Sequence, residues 1–214
     1  FMAAYDEAVL KQDPLFILIK DLDDAFVKAT TEASVKEATE KLQRANRLFV
    51  DGVRKMQPNK KFYPNANSTM RLTYGNVLAY EPRDAVKYDF YTTIDGVMKK
   101  EDPSNPEFNV DPRMKEVWMK KDFGQYADKT TGKLVVNFLS NNDITGGNSG
   151  SPVINGNGEL IGTAFDGNWE AMSGDIYFEP NIQRTISLDV RYTLWLIDKV
   201  YGATNIVNEM KLVK

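Results

Sequence analysis

From Leu15 onward the apolar positions recur at helical spacing. Leu15, Leu18, Leu22, Phe26, Ala29 and Ala33, followed by Ala38, Leu42, Ala45 and Phe49, approximate one stripe. Asp13-Pro14 supplies an N-cap followed by proline at the first helical position, where its missing N–H costs nothing. Lys28, Glu32, Lys36, Glu40 and Arg44 fall on another face at i,i+4 spacing, and each opposite-charge pair adds only about 0.2–0.5 kcal/mol. Nothing between Pro14 and Gly52 breaks the pattern, so residues 1–57 are expected to form one or two long antiparallel helices. Such a stripe suits either a partner-binding coiled coil or a helical subdomain packed on its parent. The short heptad pattern favours the second.

From Gln57-Pro58-Asn59 the texture changes to short β-type segments with turns between them, so residues 58–214 are read as a second domain. Residues 69–74 alternate, and Gly75-Asn76 offers a hairpin turn into Val77-Leu78-Ala79-Tyr80. Residues 88–93 form a short aromatic stretch. Asp111-Pro112 opens a helix through Met114, Val117 and Trp118. Residues 133–139 have the composition of a buried strand. Residues 151–154 and 160–165 flank the turn Asn155-Gly156-Asn157-Gly158, and residues 184–189 form another strand. An amphipathic helix over 190–201, stopped by Gly202, closes the pattern. Several short strands ending in one helix predict an α+β chain built on a small β-barrel.

Composition narrows the function classes. The chain has 214 residues, 27 Lys+Arg and 30 Asp+Glu, for a net charge of −3. That slightly acidic balance argues against a nucleic-acid surface, which needs basic clusters. The longest apolar run, Leu15 to Ile19, is far short of a membrane span. The first residues, Phe1 to Glu7, carry no basic region or cleavage signature of a signal peptide, and Phe1 before Met2 suggests the interior of a longer chain. There is no Cys and no His. Disulfides, thiolate zinc sites and cysteine nucleophiles are therefore excluded within this sequence, and no imidazole base can come from it.

One segment carries candidate chemistry: Asn141-Asn142-Asp143-Ile144-Thr145-Gly146-Gly147-Asn148-Ser149-Gly150-Ser151-Pro152-Val153. A serine between glycines suits an exposed tight turn, and the N–H groups of Gly147 and Ser149 could converge on a developing oxyanion. Gly-Asn-Ser-Gly is equally an everyday loop composition, and the tetrapeptide alone does not decide. Other candidates are weaker. Asp21, Asp23 and Asp24 lack the remaining ligands of a calcium loop and sit in a helical pattern. Trp118, Trp169 and Trp195 could form a sugar platform, but Trp195 lies in the amphipathic final helix, where core packing is the better reading. No Lys follows Gly146-Gly147-Asn148-Ser149-Gly150, which argues against a phosphate loop.

The context adds a resemblance. Gly147 to Val153, then a turn, then Gly158 to Phe165, resembles the nucleophile strand pair of chymotrypsin-like serine peptidases. Phe165-Asp166-Gly167-Asn168-Trp169-Glu170-Ala171-Met172-Ser173-Gly174-Asp175 is similar to the signature of bacterial dipeptidyl-peptidases of the seven and eleven type. Arg184 to Tyr192 continues it, and Ala66 to Gly75 extends it upstream. The resemblance covers most of residues 60–214. Residues 1–57 resemble only loosely the end of the helical domain inserted between that family's two barrels.

The resemblance implies a helical segment followed by a chymotrypsin-like β-barrel half with a C-terminal helix. Ser149 would be the nucleophile, with the amides of Gly147 and Ser149 as its oxyanion hole. Asp166 matches the carboxylate that binds the substrate's free α-amine, and Gly167 the position that tunes S1. Family members with Arg there prefer acidic P1 residues, and those with Gly prefer hydrophobic ones. Glycine leaves volume and no charge, whereas arginine pairs with a carboxylate. Asp143 lies six residues before Ser149, the spacing of the S1-floor residue in trypsin-like enzymes, but a turn hydrogen bond is the preferred role. The catalytic His and its Asp would come from an N-terminal barrel of the same polypeptide. The expected partners are peptide substrates and, for the parent, a second copy. No cofactor or metal is expected, and the compartment would be the bacterial periplasm or cell surface.

Overall fold

The computed structural model describes residues 7–60, 62, 67–174 and 177–213. Phe1 to Asp6, read above for a leader, lie outside the described residues, as do Ala66 and Asp175 of the quoted motifs. The chain divides into two units, Phe1–Tyr63 and Pro64–Lys214.

The first unit contains α1 (Glu7–Leu10), α2 (Pro14–Thr31) and α3 (Ala33–Met56). The Asp13 carboxylate caps α2 as expected, accepting from the Leu15 and Phe16 amides at 2.8 and 3.0 Å. Two helices form rather than one, and the break falls at Glu32, whose ψ of 136° is extended. No Gly or Pro marks it. The local reason is Thr30-Thr31, whose hydroxyls donate back to the Phe26 and Val27 carbonyls at 2.9 and 2.7 Å and favour ending the helix. Neither long helix buries a side chain, so the expected antiparallel pairing makes no apolar core within this unit.

The second unit is built on antiparallel strands. A two-stranded ribbon pairs β1 (Tyr80–Arg83) with β2 (Val86–Tyr88), and the stacked Tyr80 and Tyr88 rings, 5.1 Å apart, hold its open end. After β3 (Tyr91–Thr93) come α4 (Ile94–Lys99) and α5 (Pro112–Met119). Next are β4 (Val135–Ser140), β5 (Pro152–Ile154), β6 (Leu160–Gly167) and β7 (Thr185–Asp189). Their order is β3-β4-β7-β6-β5. Among the described residues this antiparallel ladder runs from β3 at one end to β5 at the other. The α+β character is as the sequence predicts.

The strand expected over residues 69–74 and its Gly75-Asn76 hairpin do not form. That stretch is irregular until Val77, which bridges Ser140 at the end of β4, with Leu78 N–H donating to the Leu139 carbonyl at 3.1 Å. Gly75 serves close approach instead. A Cβ there would lie 2.5 Å from Asn141 Oδ1 and 2.9 Å from the Asn142 nitrogen.

Helix α6 (Val190–Trp195) starts on the Asp189 carboxylate and runs into a wider π-type turn, Leu196–Val200, before Gly202. A last short helix, α7 (Thr204–Asn208), was not apparent from the pattern. The core groups Ile94, Met114, Tyr126, Leu134, Val136, Leu194, Trp195 and Val207. Trp195 is fully buried, edge-on to Phe123, and donates its indole N–H to the Asp122 carbonyl at 2.9 Å. It is core, as the sequence suggested. Trp118 is tied to Asp95 at 2.9 Å, and Trp169 is exposed.

Two predictions follow from this packing. Trp195→Ala is expected to cost about 3–5 kcal/mol of stability by urea unfolding, and a loss well under that range would place the core elsewhere. The second concerns the α5 cap. Arg113 donates to the Asp111 carboxylate through its guanidinium and its amide, both at 2.8 Å, and holds that carboxyl at about 2 against an ordinary 3.8. A depressed carboxylate stabilises fully above the unfolded value and loses that contribution as pH falls through the folded one. Asp111→Asn should therefore lower the melting temperature at pH 7, with the deficit shrinking between about pH 4 and pH 2. A deficit independent of pH would contradict this.

Candidate functional site

The segment between β4 and β5 is fastened along its length. The Asn141 N–H donates to the Asn76 carbonyl at 3.0 Å, and the Thr185 hydroxyl donates to the Asn142 carbonyl at 2.9 Å. Thr145 and Asn148 then close on each other. Asn148 N–H donates to the Thr145 carbonyl, and Thr145 N–H to Asn148 Oδ1, each at 3.1 Å. Asn148 is buried, while Gly146, Gly147, Ser149 and Gly150 are exposed. Gly147 and Gly150 adopt φ of 98° and 81°, which explains the glycines on either side of Asn148-Ser149.

Beyond the turn, Gly150 N–H donates to the Ala164 carbonyl at 2.8 Å, and Ala164 N–H to the Ser151 carbonyl at 3.0 Å. This stitching brings Ser149 alongside the end of β6, where its hydroxyl donates to the Phe165 carbonyl at 3.3 Å. Neither the Gly147 nor the Ser149 N–H donates to an acceptor among the described residues. Pairing of β6 with β5 stops at Thr163, whereas pairing with β7 continues to Gly167. On the β5 side, residues 165–167 therefore keep an unpaired strand edge beside Ser149.

Asp166 is exposed, and its Oδ1 accepts from Gly167 N–H at 2.8 Å, which leaves Oδ2 for another donor. Gly167 pairs with Thr185 on β7. A Cβ at Gly167 would lie 2.9 Å from the Ala171 Cβ, in the short helical turn Trp169–Ser173. Asn168 fixes the start of that turn. It is buried, donates from Nδ2 to the Ile182 carbonyl at 2.8 Å, and accepts from Arg184 N–H at 2.8 Å. Gln183 holds the other end, donating to the Ser173 hydroxyl and the Tyr177 carbonyl, each at 3.2 Å.

Arg184 is buried, and among the described residues no carboxylate is hydrogen-bonded to it. Its guanidinium donates to the carbonyls of Ala79, Pro180, Asn181 and Gln183, and lies over the Tyr80 ring. Burial lowers its pKa from the ordinary value. Arg184 and Gln183 line a small cavity of about 10 Å³ together with Asn142, Asp143, Ile144, Ala171, Gly174 and Phe178. Asp143 thus borders the wall that carries Ala171.

Ser149, Asp166 and Gly167 lie on neighbouring backbone. Asp21, Asp23 and Asp24 stay on the exposed face of α2, where Asp24 pairs with Lys20 at 2.7 Å. Among the described residues no group of His, Cys, Asp or Glu is arranged to hold a metal ion. No described helix is long and apolar enough to cross a membrane. Sequence reasoning assigned no role to Asn148, Ala171, Gln183 or Arg184. Arg71 is a further case. It was quoted only as part of a motif, yet it reaches 77 positions along the chain to donate to Asn148 Oδ1.

The chain is similar to proteins of one family throughout. It is 48% identical over 205 residues to a dipeptidyl-peptidase 7 of Phocaeicola vulgatus, covering 96% of this chain and 28% of that protein. It is 45% identical over 213 residues to an Asp/Glu-specific dipeptidyl-peptidase of Porphyromonas gingivalis, covering 100% of this chain and 29% of that protein. The crystal structure of Porphyromonas endodontalis DPP11 in complex with the dipeptide Arg-Asp superposes with a TM-score of 0.82 at 42% identity. That match covers 99% of this chain and 30% of the other. The chain thus spans less than a third of the length of these relatives. The sequence pattern of Peptidase S46 matches residues 1–212, and with these identities it establishes that the chain belongs to the Peptidase S46 family.

Proposed function

We propose that this chain carries the nucleophile of a serine-type exopeptidase that releases dipeptides from unblocked peptide N-termini, with a hydrophobic or broad P1 preference. The observation that carries the reading is the 145–150 turn. It holds Ser149 exposed beside an unpaired strand edge, with two neighbouring N–H groups that have no acceptor among the described residues. Family membership and the names of the relatives, dipeptidyl-peptidase 7 and Asp/Glu-specific dipeptidyl-peptidase, support the reaction class.

In this reading a peptide lies along residues 165–167 as an added strand. Ser149 Oγ attacks the second peptide carbonyl while a His from elsewhere in the full-length polypeptide takes its proton. The developing oxyanion is received by the Gly147 and Ser149 amides, where losing one such donor typically costs on the order of 100–1,000-fold in rate. Asp166 Oδ2 accepts from the substrate's ammonium, and this charge-assisted bond demands a free N-terminus. Because this sequence has no His, the isolated chain is expected to show no triad-dependent turnover. The full-length enzyme is assigned to the bacterial periplasm or cell surface as a homodimer.

The test uses the full-length polypeptide with two hexapeptides carrying a hydrophobic second residue, one free and one N-acetylated, followed by mass spectrometry. Dipeptide release from the free peptide alone, abolished in Ser149→Ala, is the expected result. Cleavage of both peptides would indicate an endopeptidase, and cleavage of neither a peptide-binding module.

A second prediction concerns P1 preference. Gly167→Arg alone drives its Cβ to 2.9 Å from the Ala171 Cβ, so the paired change Gly167→Arg with Ala171→Gly is the cleaner variant. It should raise kcat/KM for Asp or Glu at P1 relative to Leu, because a guanidinium pairs with a carboxylate. An unchanged P1 profile in a folded double variant would remove Gly167 from the pocket.

A further inference from the structure

The Thr145–Asn148 closure does not stand alone. Asn148 Oδ1 accepts from the Arg71 guanidinium as well as from Thr145 N–H. Asn148 is only 8% exposed, and Arg71 is partly buried over it. A partly buried carbonyl oxygen taking one charged and one neutral donor is held more strongly than by the backbone amide alone. Arg71 comes from the irregular 67–79 stretch, which is anchored just downstream. Asn76 N–H donates to Asn141 Oδ1 at 2.6 Å, and Gly75 packs against Asn142. The segment carrying Arg71 is therefore pinned to the start of the same 141–150 loop whose turn Arg71 engages.

We propose that Arg71 is a positioning residue for this enzyme: its guanidinium, acting through Asn148, fixes the turn that carries the Gly147 and Ser149 amides and the Ser149 hydroxyl. The inference rests on the peptidase reading above for its kinetic consequence, but not for its structural one. Arg71 itself does not touch the peptide. It preserves the turn geometry, and catalytic geometry is steep, since a displacement of about 1 Å can cost on the order of 100-fold in rate. A guanidinium is suited to the task because it keeps its charge and presents several donors in one plane.

The test uses Arg71→Met and, in case that variant folds poorly, Arg71→Lys, both in the full-length polypeptide. Hydrogen exchange is read at the Thr145 and Asn148 amides, with kcat, KM and melting temperature measured beside it. In Arg71→Met, kcat should fall about 10–100-fold with KM and melting temperature unchanged, and the Thr145 amide should exchange faster. Arg71→Lys, which keeps the charge and one donor at a time, should fall between Arg71→Met and the unaltered protein. An unchanged Thr145 exchange rate, or a fully retained kcat, overturns the proposal. If the unaltered full-length protein releases no dipeptide, the activity reading fails, while the exchange measurement still decides whether Arg71 orders the turn.

Discussion

Between Ala164 and Asp166 strand β6 carries one residue more than β7 pairs with. Ala164 faces Ser187 and Asp166 faces Ile186, leaving Phe165 as the extra residue. A bulge of this kind bends the strand and re-aims the side chains that follow it. Here it falls where β5 has already ended, so the bulged residue meets the Ser149 turn rather than another ladder. The Phe165 carbonyl then accepts from the Ser149 hydroxyl, and Asp166 and Gly167 follow at once along the same free edge. Ser149, Asp166 and Gly167 are thereby related through a few atoms of backbone.

That geometry depends on polar groups more than on apolar burial. The sheet side of the site is closed by Asn168, Gln183 and Arg184, all buried and all hydrogen-bonded to backbone carbonyls or amides across the 168–184 loop. Buried hydrogen bonds of this kind favour one arrangement, because a slip that breaks one leaves a donor or acceptor unsatisfied at about 1–3 kcal/mol. The apolar core around Trp195 and Leu134 lies under the helical side of the sheet and supplies stability. The turn that carries Ser149 and the loop that follows Gly167 are instead placed by hydrogen bonds.

Much of this was legible in the sequence, for physical reasons that can be named. The β-branched run at Val135-Val136, the turn at Asn155 to Gly158, the Asp13 and Asp111 caps and the periodicity after Asp189 are local signals, and each matches its element. The Ser149 motif was legible because its glycines are demanded by positive φ. What failed was non-local. Residues 69–74 alternate like a strand, but Gly75 is there to let the chain pass against Asn141 and Asn142, which no local pattern reveals. The helix break at Glu32 lacked the usual Gly or Pro. Arg71, Asn148 and Arg184 are ordinary polar residues in sequence, and they acquire their places only from partners many positions away.

In the proposed function the turn over 145–150 presents Ser149 as the reacting group. Its most direct test is to treat the full-length protein with a fluorophosphonate, which phosphonylates an activated serine, and to map the adduct by peptide mass spectrometry. A single adduct on Ser149 is expected, with Ser151 unmodified two residues away. An adduct on a different serine, or none on a protein that still releases dipeptides, would contradict it.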